Sequence, residues 1–417
     1  MPSGGTGERR AQGREIAQSG VPEAVGDDAG RDGSGESDPH AGLRAETLEA
    51  GRRAGLTAVG VAAVEVFAGT RRDLRERRAD GLAGGMQFTY RNPDRSTDPS
   101  RILPGASSLV VGAMRYARVG APPPRLAERS AAGVGEAETA AAQPEGGRPR
   151  ARVARYATGD VYGELRSALG AVSEVLRAAG YRAVVVADDN ALVDREAAHR
   201  AGLGYYGKSS NLLLPGAGSW FVLGSVVTDA ALRPAAERVP DGCGPCRRCL
   251  DGCPTGAIIA PGVVDARRCL AWLLQAAGDF PVEFREALGD RIYGCDDCQE
   301  VCPPNRRPES DTPDRPGDSA QDPTLDVLAL LAAGDEDLME RYGRWYIPER
   351  DPRYLRRNAL VVLGNVGCGG DPQVLETVQR YRRGDDEMLA RHADWVASRL
   401  GIAAEATPAT TRRATRG

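Results

Sequence analysis

Cys243-Gly-Pro-Cys246-Arg-Arg-Cys249-Leu-Asp-Gly-Cys253-Pro254 and Cys295-Asp-Asp-Cys298-Gln-Glu-Val-Cys302-Pro303 are the stretches that decide the fold, with Cys269 alone between them. Eight of the nine cysteines of the chain fall between positions 243 and 302. Three cysteines at two-residue spacings, then a fourth after three residues and followed by proline, form the ligand pattern of two-cluster iron–sulfur modules. The fourth cysteine of such a run crosses to the other cluster. Crossing assigns Cys243, Cys246, Cys249 and Cys302 to one 4Fe–4S cluster. The second run is one cysteine short, so Cys253, Cys295 and Cys298 need a fourth ligand, and Cys269 completes the set. Structural zinc is the rival, but it pairs two Cys-x2-Cys knuckles per ion and seldom strings three such spacings into a Cys-Pro close. Cys368, in Asn365-Val-Gly-Cys368-Gly-Gly, lies far along the chain and reads as a bystander.

The setting agrees with metal rather than disulfide chemistry. The opening residues MPSGGTGERRAQGRE lack the apolar core of a secretory signal, and no apolar run reaches the ~20 residues of a membrane span. A cytoplasmic location, with no membrane partner and reduced thiols, is therefore expected. The 417 residues allow two or three domains, and 41% hydrophobic content supplies their cores. A net charge of −4 does not advertise nucleic-acid binding, although local basic surfaces remain open. Among 54 basic residues Lys208 is the sole lysine. In so arginine-rich a chain, a retained lysine suggests a task that a guanidinium does not perform.

Taken in order, residues 1–43 are too polar to bury a core and are expected to be disordered. A helix is predicted over 45–54, a strand over 56–62, and a charged helix over 71–79. A buried strand follows at 108–114, and residues 117–150 read as a mobile loop. An amphipathic helix is predicted over 165–179, then a strand over 182–187 buried on both faces, a helix over 192–201, and a strand over 219–228. The cysteine module spans 241–305 and a linker 306–323. Beyond it the pattern is helical, over 324–333, 356–364 and 388–400. The last two segments echo one another at about 34 residues, the scale of helical-hairpin repeats. Residues 405–417 read as a disordered tail.

Two motifs outside the cysteines carry chemistry. Asp188-Asp189-Asn190 follows a predicted strand directly, a common place for reactive side chains. A carboxyl held there with a raised pKa would serve as a proton donor, whereas Asp189 or Asn190 would suit a cap for the next helix. Gly202-Leu-Gly-Tyr-Tyr-Gly207-Lys208-Ser209 matches both the dinucleotide fingerprint and the phosphate-loop pattern. Either pattern needs a strand before it and a helix after it. Here a helix precedes, with Gly202 as its C-terminal cap, so the match fails on context. Of the three histidines, His40 falls in the expected N-terminal extension, and His199 and His392 read as structural.

Together these stretches resemble epoxyqueuosine reductases. The resemblance rests on Asp188-Asp-Asn-Ala-Leu-Val-Asp194-Arg195, on Ala201-Gly-Leu-Gly-Tyr-Tyr-Gly-Lys208, and on both cysteine runs through Tyr293-Gly-Cys295 and Cys302-Pro303. Arg95-Ser-Thr-Asp-Pro99 with Leu103-Pro-Gly105 fits as well, so roughly residues 44–400 are covered. The resemblance implies an α+β architecture. It comprises a reductive-dehalogenase-like cobalamin-binding α/β domain over 44–240, a two-cluster ferredoxin-like domain over 241–305, and a HEAT-like helical module over 324–404. It implies reduction of epoxyqueuosine to queuosine at the wobble position of tRNA, with two 4Fe–4S clusters and base-off cobalamin as cofactors. Asp188 corresponds to the proton donor, Arg95 to a cobalamin-contacting position, and Lys208 to a loop lining the same pocket. The family pattern has a hydroxyl residue and glycine after the aspartate where this chain has Asp189-Asn190, which leaves the donor open between Asp188 and Asp189. A low-potential electron donor and a monomeric state are expected. Arg353, Arg356, Arg357, Arg380, Arg382 and Arg383 are candidates for tRNA phosphate contacts, or equally a solvated helix face. The alternatives are a dehalogenase-like enzyme acting on a small molecule, and a plain ferredoxin-type electron carrier.

Overall fold

The computed structural model describes residues 38–116, 147–306 and 323–403. The expected 405–417 tail, and nearly all of the expected 1–43 extension, 117–150 loop and 306–323 linker, lie outside these residues. Order begins earlier than expected. The first helix is Ala41–Arg53, and His40 at its head places Nε2 2.7 Å from the Tyr181 hydroxyl.

A four-stranded sheet organises the N-terminal half, in the order Ala58–Ala63, Ser108–Arg115, Phe221–Thr228, Ala183–Ala187. Every neighbouring pair is antiparallel. Side chains alternate along each strand. In Ser108–Arg115, Val110 and Met114 face one core, while Leu109, Val111 and Ala113 face the other. The first core is closed by Leu48 of the first helix and by Leu165, Leu169, Val172 and Leu176 of the helix Val161–Ala178. The second is closed by Ala197 and Ala198 of the short helix Asp194–Arg200. Each buried leucine or valine is worth about 1.5–3 kcal/mol relative to exposure. Gly112 and Gly224 pair across the sheet centre, and a Cβ on them would come within 2.7 Å of Leu56 and Leu169 respectively. The bare backbone there lets both leucines seat on the sheet. Ala183–Ala187 was expected to be buried on both faces. It is instead an edge strand with Val184 and Val185 half-buried.

The rest of the chain is built around a third core. A three-stranded sheet, Arg291–Tyr293, Arg150–Val153, Thr324–Asp326, draws one strand from each of three distant segments. The expected helix over 324–333 is thereby shortened to Val327–Ala332, because Thr324–Asp326 pairs with Arg150–Val153. Asp326 caps that helix by accepting the Ala329 amide at 2.9 Å. The two echoing segments form the helices Arg353–Val366 and Glu387–Leu400, which pack together. A Cβ on Gly364 would fall 2.3 Å from the Trp395 ring, so the glycine lets the helices close. Two helices, Asp335–Tyr342 and Pro372–Arg382, have no counterpart in the sequence reading.

Arg357 contradicts its reading as a tRNA-facing residue. It is 0% exposed. Its guanidinium donates to the carbonyls of Leu273, Leu274, Ala276 and Gly278 and to Asn358 Oδ1. Arg357 thus caps the C-terminal end of the helix Leu270–Leu273, which follows Cys269 directly. Burial, only partly opposed by Tyr354 and Asp279, pulls its pKa down to about 10. The other arginines of these clusters are engaged as well. Arg356 pairs with Asp335, Arg353 with Asp351 and Arg382 with Asp394, while Arg380 donates to the Leu331 carbonyl.

Candidate active site and cluster centres

The two cysteine runs lie on short helical turns, Arg248–Asp251 and Asp297–Glu300, that pack against one another. Val301 lies over Gly252, where a Cβ would come 3.1 Å from both of its methyl groups. All eight cysteines are free and half-buried, whereas Cys368 is exposed. The thiols gather in two groups. Burial and then the nearby Cys249, Cys243 and Cys246 push the Cys302 thiol up to about 12. Burial also raises Cys298, which senses Cys269 and Cys253, and Cys295 senses Cys298. The last cysteine of each run therefore faces the other run. The group around Cys298 lies deeper, while Gly242, Gly244, Pro245, Arg247 and Arg248 around the first group are exposed. Donors to sulfur are already in place, since the Ala257 amide lies 3.2 Å from Cys253 Sγ and Asn211 Nδ2 lies 3.8 Å from Cys298 Sγ. Eight soft thiolate donors in two sets of four, with N–H groups aimed at them, fit two 4Fe–4S clusters. Among the described residues no three His, Cys, Asp or Glu side chains converge closely enough to hold a single metal ion.

The second centre is at the end of the strand Ala183–Ala187. Asp188 turns the chain there with φ +54°, a conformation that side-chain-bearing residues adopt sparingly and that clusters at functional sites. Arg166 donates to the preceding Ala187 carbonyl at 3.2 Å. Asp189 Oδ1 accepts the Ala191 amide at 2.8 Å, an Asx turn that commits this carboxylate to the backbone. The helix then starts at Asp194, two residues later than expected, with no side-chain cap from Asp189 or Asn190. It ends as predicted at Gly202, whose φ is +71°. The amides of Gly202 and Leu203 return to the carbonyls of His199 and Ala198 in a Schellman arrangement.

Asp188 keeps one side open to solvent, yet crowding by the surrounding walls raises its carboxyl pKa, with Arg166 opposing and Asp189 adding to the rise. Asp194 behind it is raised well above the usual range by burial and by Asp188, and its Oδ1 has no hydrogen-bond partner. Sequence reasoning missed the aromatic wall. Burial lifts Tyr293 to about 12 and also lifts Tyr162, and both phenols sense Asp188. Ring centroids lie 6.2 Å apart for Tyr293–Tyr156, 6.5 Å for Tyr156–Tyr116 and 6.1 Å for Tyr116–Trp220. Tyr116 in turn senses Asp296 and Cys298. The rings of Tyr293, Tyr156, Tyr116 and Trp220 therefore form a continuous file, with Tyr293 in electrostatic range of Asp188 and Tyr116 in range of Cys298.

Arg95 sits on the helical turn Pro93–Ser96 with its side chain exposed. The Val193 amide donates to the Ser96 carbonyl at 2.9 Å, which ties this turn to the loop after Asp188. Lys208 is placed elsewhere. It lies at the tip of the hairpin Tyr205–Tyr206/Leu212–Leu213, with no helix following, so the phosphate-loop match is not realised. Its Nζ donates to the carbonyls of Gly244 at 2.6 Å and Cys246 at 2.9 Å. The histidines are engaged apart from this site. His199 Nδ1 lies 2.9 Å from the Gly204 carbonyl, and His392 is fully buried beside Phe280 and Arg285.

An α+β chain with two four-cysteine groups, a raised carboxyl and a file of aromatic rings in range of the deeper group and of the carboxyl defines an iron–sulfur oxidoreductase. Residues 242–305 match the 4Fe–4S double cluster binding domain. The chain is 34% identical to the epoxyqueuosine reductase of Xanthomonas campestris over 88% of its own length and 97% of that protein. It is 34% identical to the enzyme of Vibrio cholerae over 76% of its length and 80% of that protein. Among solved structures it superposes on epoxyqueuosine reductase from Bacillus subtilis with a TM-score of 0.72 at 27% identity, covering 86% of this chain and 90% of that one. An epoxyqueuosine reductase bound to an epoxyqueuosine-modified tRNA-Tyr stem loop superposes with a TM-score of 0.69 at 26% identity, covering 86% and 99%. The chain belongs to the epoxyqueuosine reductase family. No helix among the described residues is long and apolar enough to cross a membrane.

Proposed function

We propose that this chain reduces epoxyqueuosine in tRNA to queuosine by delivering two electrons through its cysteine module and a proton from Asp188. The balance is simple: epoxide, two electrons and two protons give the alkene and water. The observation that carries the reading is the aromatic file in range of Cys298 at Tyr116 and of Asp188 at Tyr293, because it unites an electron source and a proton source in one recess. Cys243, Cys246, Cys249 and Cys302 hold the outer cluster, and Cys253, Cys269, Cys295 and Cys298 the inner one. Clusters pass electrons singly, so cobalamin, when bound, would supply the centre that collects two. Asp188, Tyr162, Tyr293 and Arg95 would line the place that holds that group, and the three histidines are each engaged in hydrogen bonds of their own.

The roles of the residues follow. Asp188, its carboxyl pKa raised by desolvation, donates to the departing oxygen from its acid form. Asp194 behind it is a second carboxyl whose pKa burial raises. Arg95, exposed beside the Asp188 loop, contacts the corrin or the substrate phosphates, and Lys208 holds the outer cysteine loop. Residues 44–240 form the catalytic domain, 241–305 the cluster domain, and 324–404 a helical module on the tRNA side. A cytoplasmic monomer fed by a low-potential carrier completes the reading. The test is anaerobic reconstitution with iron, sulfide and cobalamin, followed by epoxyqueuosine-containing tRNA. Conversion to queuosine is expected; absence of both conversion and bound corrin would overturn the reading.

A further inference from the structure

The hairpin Tyr205–Tyr206/Leu212–Leu213 touches both groups of thiols at once. Its tip is pinned from below. The Gly262 amide donates to the Lys208 carbonyl at 2.9 Å, and Ser210 Oγ donates to the Gly262 carbonyl at 2.8 Å. Inside the tip, the Gly207 amide bonds the Asn211 carbonyl at 2.8 Å and Ser210 takes φ +65°. A tip fixed in this way cannot swing its side chains freely. One of them, Lys208, places its ammonium against the carbonyls of Gly244 and Cys246. Another, Asn211, aims its amide at Cys298 Sγ from 3.8 Å. One rigid element therefore sets a full positive charge on the loop of the outer group and a hydrogen-bond donor on a sulfur of the inner group.

The potential of an iron–sulfur cluster follows its net charge, the hydrogen bonds to its sulfurs and its exposure. Reduction adds negative charge, so a nearby cation or an N–H···S donor favours the reduced state and raises the potential. We propose that this hairpin tip sets the potentials of the two clusters separately, Lys208 raising the outer one and Asn211 the inner one. Both act as positioning residues, since neither touches the reacting atoms. The proposal rests on the cluster assignment made above. It also gives the sole lysine of the chain a task. Its ammonium reaches two carbonyls of the tight outer loop, and the charge it brings there is what shifts the potential.

The test is an anaerobic redox titration followed by electron paramagnetic resonance, on full-length chain reconstituted with iron and sulfide. Lys208→Gln should move one signal to more negative potential and leave the other in place, while Lys208→Arg, which keeps the charge, should stay near the parent. Asn211→Leu should move the second signal down and leave the first. The assignment is overturned if neither signal moves, if both move together in either variant, or if Lys208→Arg shifts as far as Lys208→Gln. Loss of about half of the iron in Lys208→Gln also overturns it, leaving Lys208 as a clamp needed for assembly. Failure of the parent chain itself to hold two clusters would fault the cluster assignment instead, and iron analysis of the parent separates the two cases.

Discussion

Asp189 Oδ1 accepts the Ala191 amide at 2.8 Å, while its neighbour Asp188, turned outward at φ +54°, keeps its carboxyl free of the backbone. The two adjacent acids are thereby divided between a structural and a chemical role. Asp188→Asn should lower turnover by about 10²–10⁴-fold with both clusters intact. Asp189→Asn, which retains the oxygen of the turn, should stay within about threefold of the parent, since that loop keeps its hydrogen bond. The pH profile checks the sign. The pKa of Asp188 is raised and its acid form is the reactive one. Turnover should therefore fall as pH rises through that pKa, and the fall should vanish in Asp188→Asn. Equal losses in the two variants would refute the division.

Cys269 and Cys368 offer a second contrast. The thiol of Cys269 is buried and senses Cys253, whereas Cys368 is exposed on the helical module. Cys269→Ala should lose iron or alter the spectrum of one cluster, and Cys368→Ala should keep about eight iron atoms per chain. Iron analysis with magnetic resonance reads both. Full iron with two unchanged signals in Cys269→Ala would reassign the fourth ligand.

Arg357 binds the helical module to the cysteine segment. Removing its side chain strands the carbonyls of Leu273, Ala276 and Gly278 beyond the helix after Cys269, while that of Leu274 keeps the Asn358 amide. Arg357→Met should therefore destabilise the chain by about 3–5 kcal/mol, the usual cost of emptying a buried hydrogen-bonded site. A lower melting temperature is expected, with loss of the inner cluster ahead of the outer one. A surface arginine on a tRNA-binding face would instead change little in stability and mainly soften the salt dependence of RNA binding.

That residue also marks what could and could not be read from the chain. The cysteine runs are local patterns fixed by metal geometry, and the strand before Asp188 is a plain apolar run, so both were legible. Gly202 was legible because a helix end needs a residue that tolerates φ above zero. Arg357, by contrast, sits in an arginine-rich helix whose surface prior is strong, and only the carbonyls of residues 273–278 reveal that it is buried. The strand Thr324–Asp326 was hidden for the same reason, because its partner Arg150–Val153 lies far back in the chain. Tyr116, Tyr156, Tyr162 and Tyr293 come from separate segments, and no spacing rule joins them. Strand order was likewise invisible: the rule placing active residues at the ends of parallel strands drew attention to Asp188, yet the sheet proves antiparallel.

His392 supplies a stability test independent of the chemistry. It is fully buried in the helical module, where Nε2 accepts the Phe280 amide at 3.1 Å and Nδ1 donates to the Met388 carbonyl at 2.7 Å. The neutral ring satisfies both partners, and burial holds its pKa down at about 4. The unfolded chain takes up that proton near pH 6.5. Between about pH 6.5 and 4 this group binds more protons in the unfolded state than in the folded one, so its contribution to stability falls as pH falls through this window. The loss amounts to about 3 kcal/mol at most, reached only near the lower limit. Above pH 7 the group contributes no slope. In His392→Gln, whose amide oxygen still accepts from Phe280 but does not titrate, the melting temperature should depend less on pH across that window than in the parent. An unchanged slope would show that the ring is not the titrating group.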